Sequence, residues 1–433
     1  MAPSEPYRKG TSHPPIGDQY TTPGMNPMSP DTQPYPTNQS GHRALYRRSK
    51  TNLPAVRVNP RRRIPHRLLS LCMGFTLLIL TFWDFYFDIL TGIRALDFLA
   101  LIMFLPIILY VVFSCPDEVV SYSAFKYLIM ALMATMLTFY MFLGYLEDSE
   151  NIKSGVGFLL GFSTFYIGAL TFPWRQIPIG RILNALLILH SSALLFQFSL
   201  HQVSGYLLDF HWLFGQESRL IANITRYSGL FREPATFSFT VVAIIILRFH
   251  FGARSALDVS LWIGVFSIFV SQSLWGLVTS IAVITIWLLT RVQLLPAITI
   301  FVVLSTMYFF FEEMLFAYSW GRLIALDIDS SAAARYEGLF SLLEGSATDT
   351  SIWFGNGLGY NYLTLGSNGF SYLISGIGIV GTVHFFIGLW VPATSRDILR
   401  RVLSSAFLLT AAPLWGTFFV WIFFGMLIQR KEY

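Results

Sequence analysis

Residues 226–247 read RYSGLFREPATFSFTVVAIIIL. Two arginines and a glutamate stand directly before a proline, and an uncharged apolar run follows. Pro234 suits the first turn of a helix, where its missing N–H costs nothing. Glu233 before it sits favourably against the positive helix end. Gly229 permits a backbone turn closed to other residues. The segment therefore predicts a tight turn that delivers Arg226, Arg232 and Glu233 to a membrane surface at the mouth of a spanning helix. Such a helix end, flanked by guanidinium groups that grip phosphate oxygens in bidentate fashion, is an anion site. The same arginines also suit a plain anchoring role, snorkelling to lipid headgroups, with Arg232 and Glu233 paired locally.

The whole chain supports the membrane reading. Its 433 residues are 54% hydrophobic and 12% charged, with 40 phenylalanines and a mean hydropathy of +0.57. A soluble domain carries about 25% charged residues. The net charge of +5 is unevenly placed: residues 1–67 hold 11 basic and 3 acidic residues, and the remainder 18 basic and 21 acidic. The excess lies in RRSK at 47 and RRR at 61, just before the first apolar run. Arginines there mark a cytoplasmic helix end that meets anionic lipid, and they do not call for nucleic acid. The first forty residues, rich in Pro, Thr, Ser, Gln and Gly, are expected to be disordered. They are not a cleavable signal, because the apolar stretch begins near Leu68. Cys72 and Cys115 form neither a disulfide framework nor a metal spacing.

A bilayer core needs roughly 20 apolar helical residues per crossing. Spans are predicted near 68–87, 95–113, 122–146, 154–172, 182–204, 235–251, 257–272, 274–290, 294–311, 368–391 and 403–428. The fold class is thus an all-α polytopic membrane protein of about eleven to twelve spans: a basic cytoplasmic tail over 1–67 and a membrane domain over 68–433. With the tail inside, the inner loops carry Lys126, Arg175, Arg181, Arg248, Arg254, Arg291, Arg396, Arg400 and Arg401. The outer loop at 147–153 carries Glu147, Asp148 and Glu150, as the positive-inside rule requires. The C-terminal QRKEY breaks that rule under an eleven-span count. A short hairpin at Pro413, or a miscounted span, would restore it.

Two long connections, near 205–234 and 312–367, fall on the outer face, where long loops on a rigid scaffold carry function. The first holds His211, an acid/base candidate whose position beside Trp212 also suits an interfacial structural role. The second holds Arg335, within an amphipathic ARYEGLFSLLEG, and a Gly-rich turn FGNGLGYNY around Gly357. That turn could offer backbone N–H groups to a ligand or serve as an ordinary loop. GIGIVG at 376–381 matches a dinucleotide pattern but lies in an apolar span, where it reads as close helix packing. Asn223-Ile-Thr225 is a chance-grade sequon. Asp84 and Asp88 end the first span facing the outer interface.

RYSGLFREPATFS resembles the Arg-x-x-Gly-Leu-Phe, acid-Pro signature of bacterial polysaccharide polymerases and O-antigen ligases, the Wzy-like superfamily. RYEGLF, WFGNGLGYNY and SNGFSYLISGIGIVG are similar to that superfamily's second signature. The resemblance covers roughly 219–385. It implies a fold like that of the lipid-dependent (GT-C-like) glycosyltransferases. It implies transfer of a glycan from undecaprenyl diphosphate to a sugar hydroxyl on the periplasmic face of the inner membrane, with inversion and with no metal or other cofactor. Arg226 and Arg335 match the motif arginines that would bind the diphosphate, Arg232 would assist, and Glu233 would be the base. Gly357 and Asn368 fall in the second signature. The ligases carry a histidine before that asparagine, whereas here Ser367 precedes it. The resemblance thus points to an exopolysaccharide or O-antigen polymerase, xanthan-type polymerases included. A ligase, or a non-enzymatic flippase of the same lipid-linked units, are the alternatives. A flippase and a chain-length regulator would be its partners.

Overall fold

The computed structural model describes residues 66–82, 88–90, 93–114, 116, 119, 122–147, 152–210, 227–231, 233–251, 258–289, 350–358, 369–391 and 418–429. All belong to one compact unit, Pro60–Tyr433. The expected tail lies almost wholly outside the described residues, and helix begins at His66.

The described chain is helical apart from one small hairpin. In order come α1 (His66–Thr81), β1 (Asp88–Leu90) paired antiparallel with β2 (Ile93–Arg94), α2 (Ala95–Ser114) and α3 (Ala124–Glu147). Then α4 (Ile152–Leu160) runs through a π-helical turn, Gly161–Tyr166, into α5 (Ile167–Thr171), and α6 (Ile179–Ser204) follows. The second half contains α7 (Pro234–Phe251), α8 (Val259–Val270), α9 (Leu274–Leu289), α10 (Thr350–Phe354), α11 (Gly369–Trp390) and α12 (Phe418–Ile428). Every predicted span coincides at least in part with a described helix, except 294–311, which lies outside the described residues. The first predicted span is shorter than expected, because the chain leaves helix after Thr81 and turns through the hairpin.

Five helices are long and apolar enough to cross a bilayer: Leu96–Ser114, Ala124–Leu146, Ile179–Ser204, Pro234–Phe251 and Gly369–Trp390. Their surfaces show what surrounds them. Leu68, Leu71 and Phe75 on α1, and Phe98, Ile102, Leu105, Leu109 and Phe113 on α2, all point outward. Apolar side chains repeating every three or four residues on an outer face require a lipid solvent. Only 22% of the apolar window of α2 is buried, against 67% for α7. α2 is therefore peripheral and α7 central. Every side chain of α12 is buried. The chain is an all-α membrane protein.

Lipid tails are as apolar as leucine, so helices join here by close packing and not by escape from water. Trp421 of α12 lies flat against Gly161 in the π turn, where any Cβ would collide with the indole. One turn further on, Gly425 takes the Ala169 methyl and the Tyr166 carbonyl at distances only glycine permits. The pairs 161–421 and 169–425 advance together, so α12 runs parallel to α4 and α5. Gln429 extends that register, donating to the carbonyls of Leu170 (2.9 Å) and Phe172 (2.5 Å).

This register sets the direction of α12. Tyr122, at the start of α3, bonds the same Leu170 carbonyl (3.3 Å). α3 and α11 run antiparallel, with Met133 against Gly388 and Tyr140 against Gly381. α11 and α12 therefore run in the same direction, and the chain re-crosses between them. α12 ends at the end of the bundle where α1 and α6 begin, since Gly74 faces Ile182 and Thr81 faces His190. Arg67, Arg175 and Arg181 are exposed at this tail end. Arg248 and Asp258 pair there, Arg248 also bonding the Gly180 carbonyl (2.9 Å). Gln429, the last described residue, thus lies at the same end as these basic residues; the rest of QRKEY lies outside the described residues.

Candidate functional site

The opposite end holds the described parts of the two signature segments, 227–231 and 353–358. Residues 227–231 lie along one stripe of α6, made of His190, Leu194, Gln197 and His201. These recur at the helical spacing i, i+4, i+7, i+11, and the turn descends them in reverse order. The Tyr227 hydroxyl meets His201 Nδ1 (2.8 Å) and accepts from Gln202 Nε2 (3.1 Å). Gln197 Oε1 accepts from the backbone N–H of both Ser228 (3.1 Å) and Gly229 (2.9 Å), while Gln197 Nε2 donates to the Leu208 carbonyl (2.6 Å). Gly229 has φ +58°, and a Cβ there would stand 3.1 Å from the Leu194 backbone nitrogen. The position thus requires glycine twice, for its dihedral and for the approach to α6.

Phe231 is fully buried beneath the turn, tilted against the His190 ring (centroids 5.0 Å apart) and edge-on to Phe237. His190 is itself sealed. Its Nε2 meets Thr81 Oγ1 at 2.9 Å, and that hydroxyl donates its proton to the Leu78 carbonyl (2.7 Å). Thr81 can then only accept, so Nε2 of His190 carries the hydrogen and Nδ1 is a bare lone pair. Burial of Tyr227 pushes its phenol up, against the smaller pull of the Gln202 hydrogen bond, so it stays a neutral hydroxyl at physiological pH.

Glu233 follows at once, half-buried. Its carbonyl accepts the N–H of Phe237 (3.1 Å), which starts α7 with Pro234 in the expected first turn. Arg226, Arg232, His211, Arg335 and Asn368 lie outside the described residues. Arg226 is the covalent neighbour of Tyr227, and Arg232 joins Phe231 to Glu233.

Gly357 sits in the second segment, at a crossing of three backbones. α11 is two helices broken at Gly378 (φ 67°, ψ 178°). The break turns carbonyls away from their own helix, and the Gly-rich turn takes them. Asn356 N–H donates to the Ser375 carbonyl (2.9 Å) and Gly357 N–H to that of Gly376 (2.9 Å). Leu358 N–H donates to Tyr140 on α3 (3.0 Å). The amides of 355–358 are therefore engaged by protein carbonyls, and what Gly357 does among the described residues is pack. At φ 100° its missing Cβ makes room for the Gly144 backbone. GIGIVG is a packing segment, with Gly378 adding a helix break that the sequence reading did not contain.

Both segments occupy one end of the bundle. The last turn of α3 receives Leu358. The start of α4 packs back on α3 through Gly155 and Met141. Phe239 near the start of α7 meets Phe419 near the start of α12, which parallels α4. The α6 stripe is the part sequence reasoning missed. Its signal was present: His190, Gln197 and His201 are large polar residues at helical spacing within a predicted span. Among the described residues, no three His, Cys, Asp or Glu side chains form a metal-ligating group. No family model matches the chain, and no curated protein matches it either.

Proposed function

We propose that the protein is a membrane glycosyltransferase. It joins undecaprenyl-diphosphate-linked oligosaccharide repeats into a long exopolysaccharide or O-antigen chain. It works at the motif end, facing the periplasm of a bacterial inner membrane, with the tail end cytoplasmic. The observation that most supports this reading is that the described parts of both signature segments lie at the end of the bundle opposite Arg67, Arg175, Arg181 and Arg248. A donor with a long lipid tail requires an enzyme embedded beside it, and a diphosphate leaving group requires cations where its charge develops. Arg226 and Arg335 take that role, with Arg232 assisting. The architecture then groups with the lipid-dependent glycosyltransferases.

The break in α11 favours a second reading, transport of the same lipid-linked units, because discontinuous helices mark substrate sites in transporters. One experiment separates the two. Purified protein in lipid nanodiscs, given lipid-linked repeats and no second membrane face, yields a ladder of longer glycans if it polymerises, and Arg226→Ala or Arg335→Ala abolishes that ladder. Unchanged donor, together with translocation in sealed vesicles, would establish transport instead. A ladder of wild-type intensity from both arginine variants would remove the diphosphate assignment.

A further inference from the structure

Polymerisation requires a base for the acceptor hydroxyl, and the ligase-type histidine is missing beside Asn368. We propose that His201, at the motif end of α6, is that base, oriented by Tyr227. The proposal rests on the glycosyl-transfer reading above.

Three features carry it. His201 stands one turn from the motif end of α6 and is only half-buried. Its Nδ1 is held by the Tyr227 hydroxyl at 2.8 Å, and its Nε2 makes no hydrogen bond to the described residues. The tyrosine is itself fixed: it is almost wholly buried, braced edge-on by Phe198 and bonded by Gln202. A ring nitrogen held by a rigid partner fixes the plane of the imidazole and so aims the other nitrogen. Tyr227 also adjoins Arg226 in the chain. His190, three turns deeper, sealed under Phe231 and with Nε2 taken by Thr81, is closed to an acceptor sugar.

In the step, Nδ1–H of neutral His201 donates to the Tyr227 oxygen, which leaves the Nε2 lone pair free. The acceptor sugar hydroxyl attacks the anomeric carbon of the donor, and its proton passes to Nε2. The bond from the anomeric carbon to the phosphate oxygen breaks with its electron pair, which leaves on undecaprenyl diphosphate beside Arg226. Imidazolium then returns the proton to water, and the enzyme is restored. His201 is the acid–base group, and Tyr227 is a positioning residue.

The full chain in nanodiscs, with lipid-linked repeats as substrate, tests this. His201→Gln lowers kcat by about 10²–10⁴-fold with the donor KM little changed. His201→Ala regains turnover when imidazole is added, which a packing role would not allow. Tyr227→Phe costs on the order of tenfold in kcat, the effect of one lost orienting hydrogen bond. His384→Gln, on the outer face of α11, leaves the rate unchanged. Wild-type turnover by His201→Gln, with Arg226→Ala inactive, overturns the base while the glycosyltransferase stands. Wild-type turnover by both removes the diphosphate assignment and the base together, and donor left unchanged by the wild-type protein removes the enzyme reading, and the base with it. A slow His201→Ala that imidazole does not restore, and that melts earlier than wild type, makes His201 structural and also overturns the proposal.

Discussion

Gln197→Met isolates the contact that docks the motif turn. Methionine keeps the length and flexibility of glutamine but offers no acceptor to Ser228 and Gly229 and no donor to Leu208. Three hydrogen bonds of 3.1, 2.9 and 2.6 Å vanish together. Each buried N–H left without an acceptor costs about 1–3 kcal/mol, so the docked turn would lose about 2–6 kcal/mol if it stayed in place. It need not stay, because lifting from α6 returns both amides to water. The loss is then limited to what Phe231 and Tyr227 still contribute by packing, and we expect about 2–3 kcal/mol. Opening of the turn becomes about 30- to 150-fold more frequent, at about 1.4 kcal/mol per tenfold. Hydrogen exchange in nanodiscs, read at Ser228 and Gly229, measures this directly. Gln202→Met is the comparison, because Gln202 donates only to Tyr227 and leaves both amides bonded. Protection at Ser228 and Gly229 unchanged in Gln197→Met would refute the docking of the turn on α6.

Other outcomes are expected. Gly378→Ala places a Cβ on the Trp353 carbonyl at φ 67°, and should abolish monodisperse protein; full expression with wild-type melting would refute the break. Asp258 is raised by its partial burial, but hydrogen bonds from Ser260 and the charge of Arg248 overcome this and hold its carboxyl below the ordinary value. The folded state therefore binds that proton less readily than the unfolded chain. The stability it contributes is present above the ordinary carboxylate pKa of about 3.9 and is lost as pH falls below it. Asp258→Asn should flatten that limb of a melting-temperature profile, and an unaltered acid limb would refute the coupling. A cysteine appended after Tyr433 should be labelled by an impermeant reagent from the same side as Arg67→Cys, and from the side opposite Glu147→Cys. Labelling of the C-terminal cysteine together with Glu147→Cys would refute the even number of crossings.

The helices were legible because a bilayer imposes one length and one composition, and α2, α3, α6, α7 and α11 follow both. Pro234 and Gly229 were legible because their backbone demands are local. The direction of α12 was not, because parity depends on a register between Gly161 and Trp421 that no window of sequence contains. The engagement of Gly357 was hidden for the same reason: whether a glycine-rich turn offers its amides to a ligand depends on whether a distant helix, broken at Gly378, has carbonyls to spare. His201 was passed over because its partner, Tyr227, lies 26 residues on and across a turn, and an isolated histidine near a helix end carries no signal of its own.

The burial of α12 on every face sets an order of assembly. This helix is made after all the others described, yet Trp421 fills the space between the π turn and α11, and Gln429 ties off α5. During synthesis, Gly161, Ala169 and Phe385 wait without their final neighbour, held open in lipid or packed against substitutes. The bundle closes around its last-made helix, as an arch closes on its keystone. A chain cut short of Phe418 would insert every earlier span and still present an unfilled seam to the quality-control proteases of its membrane.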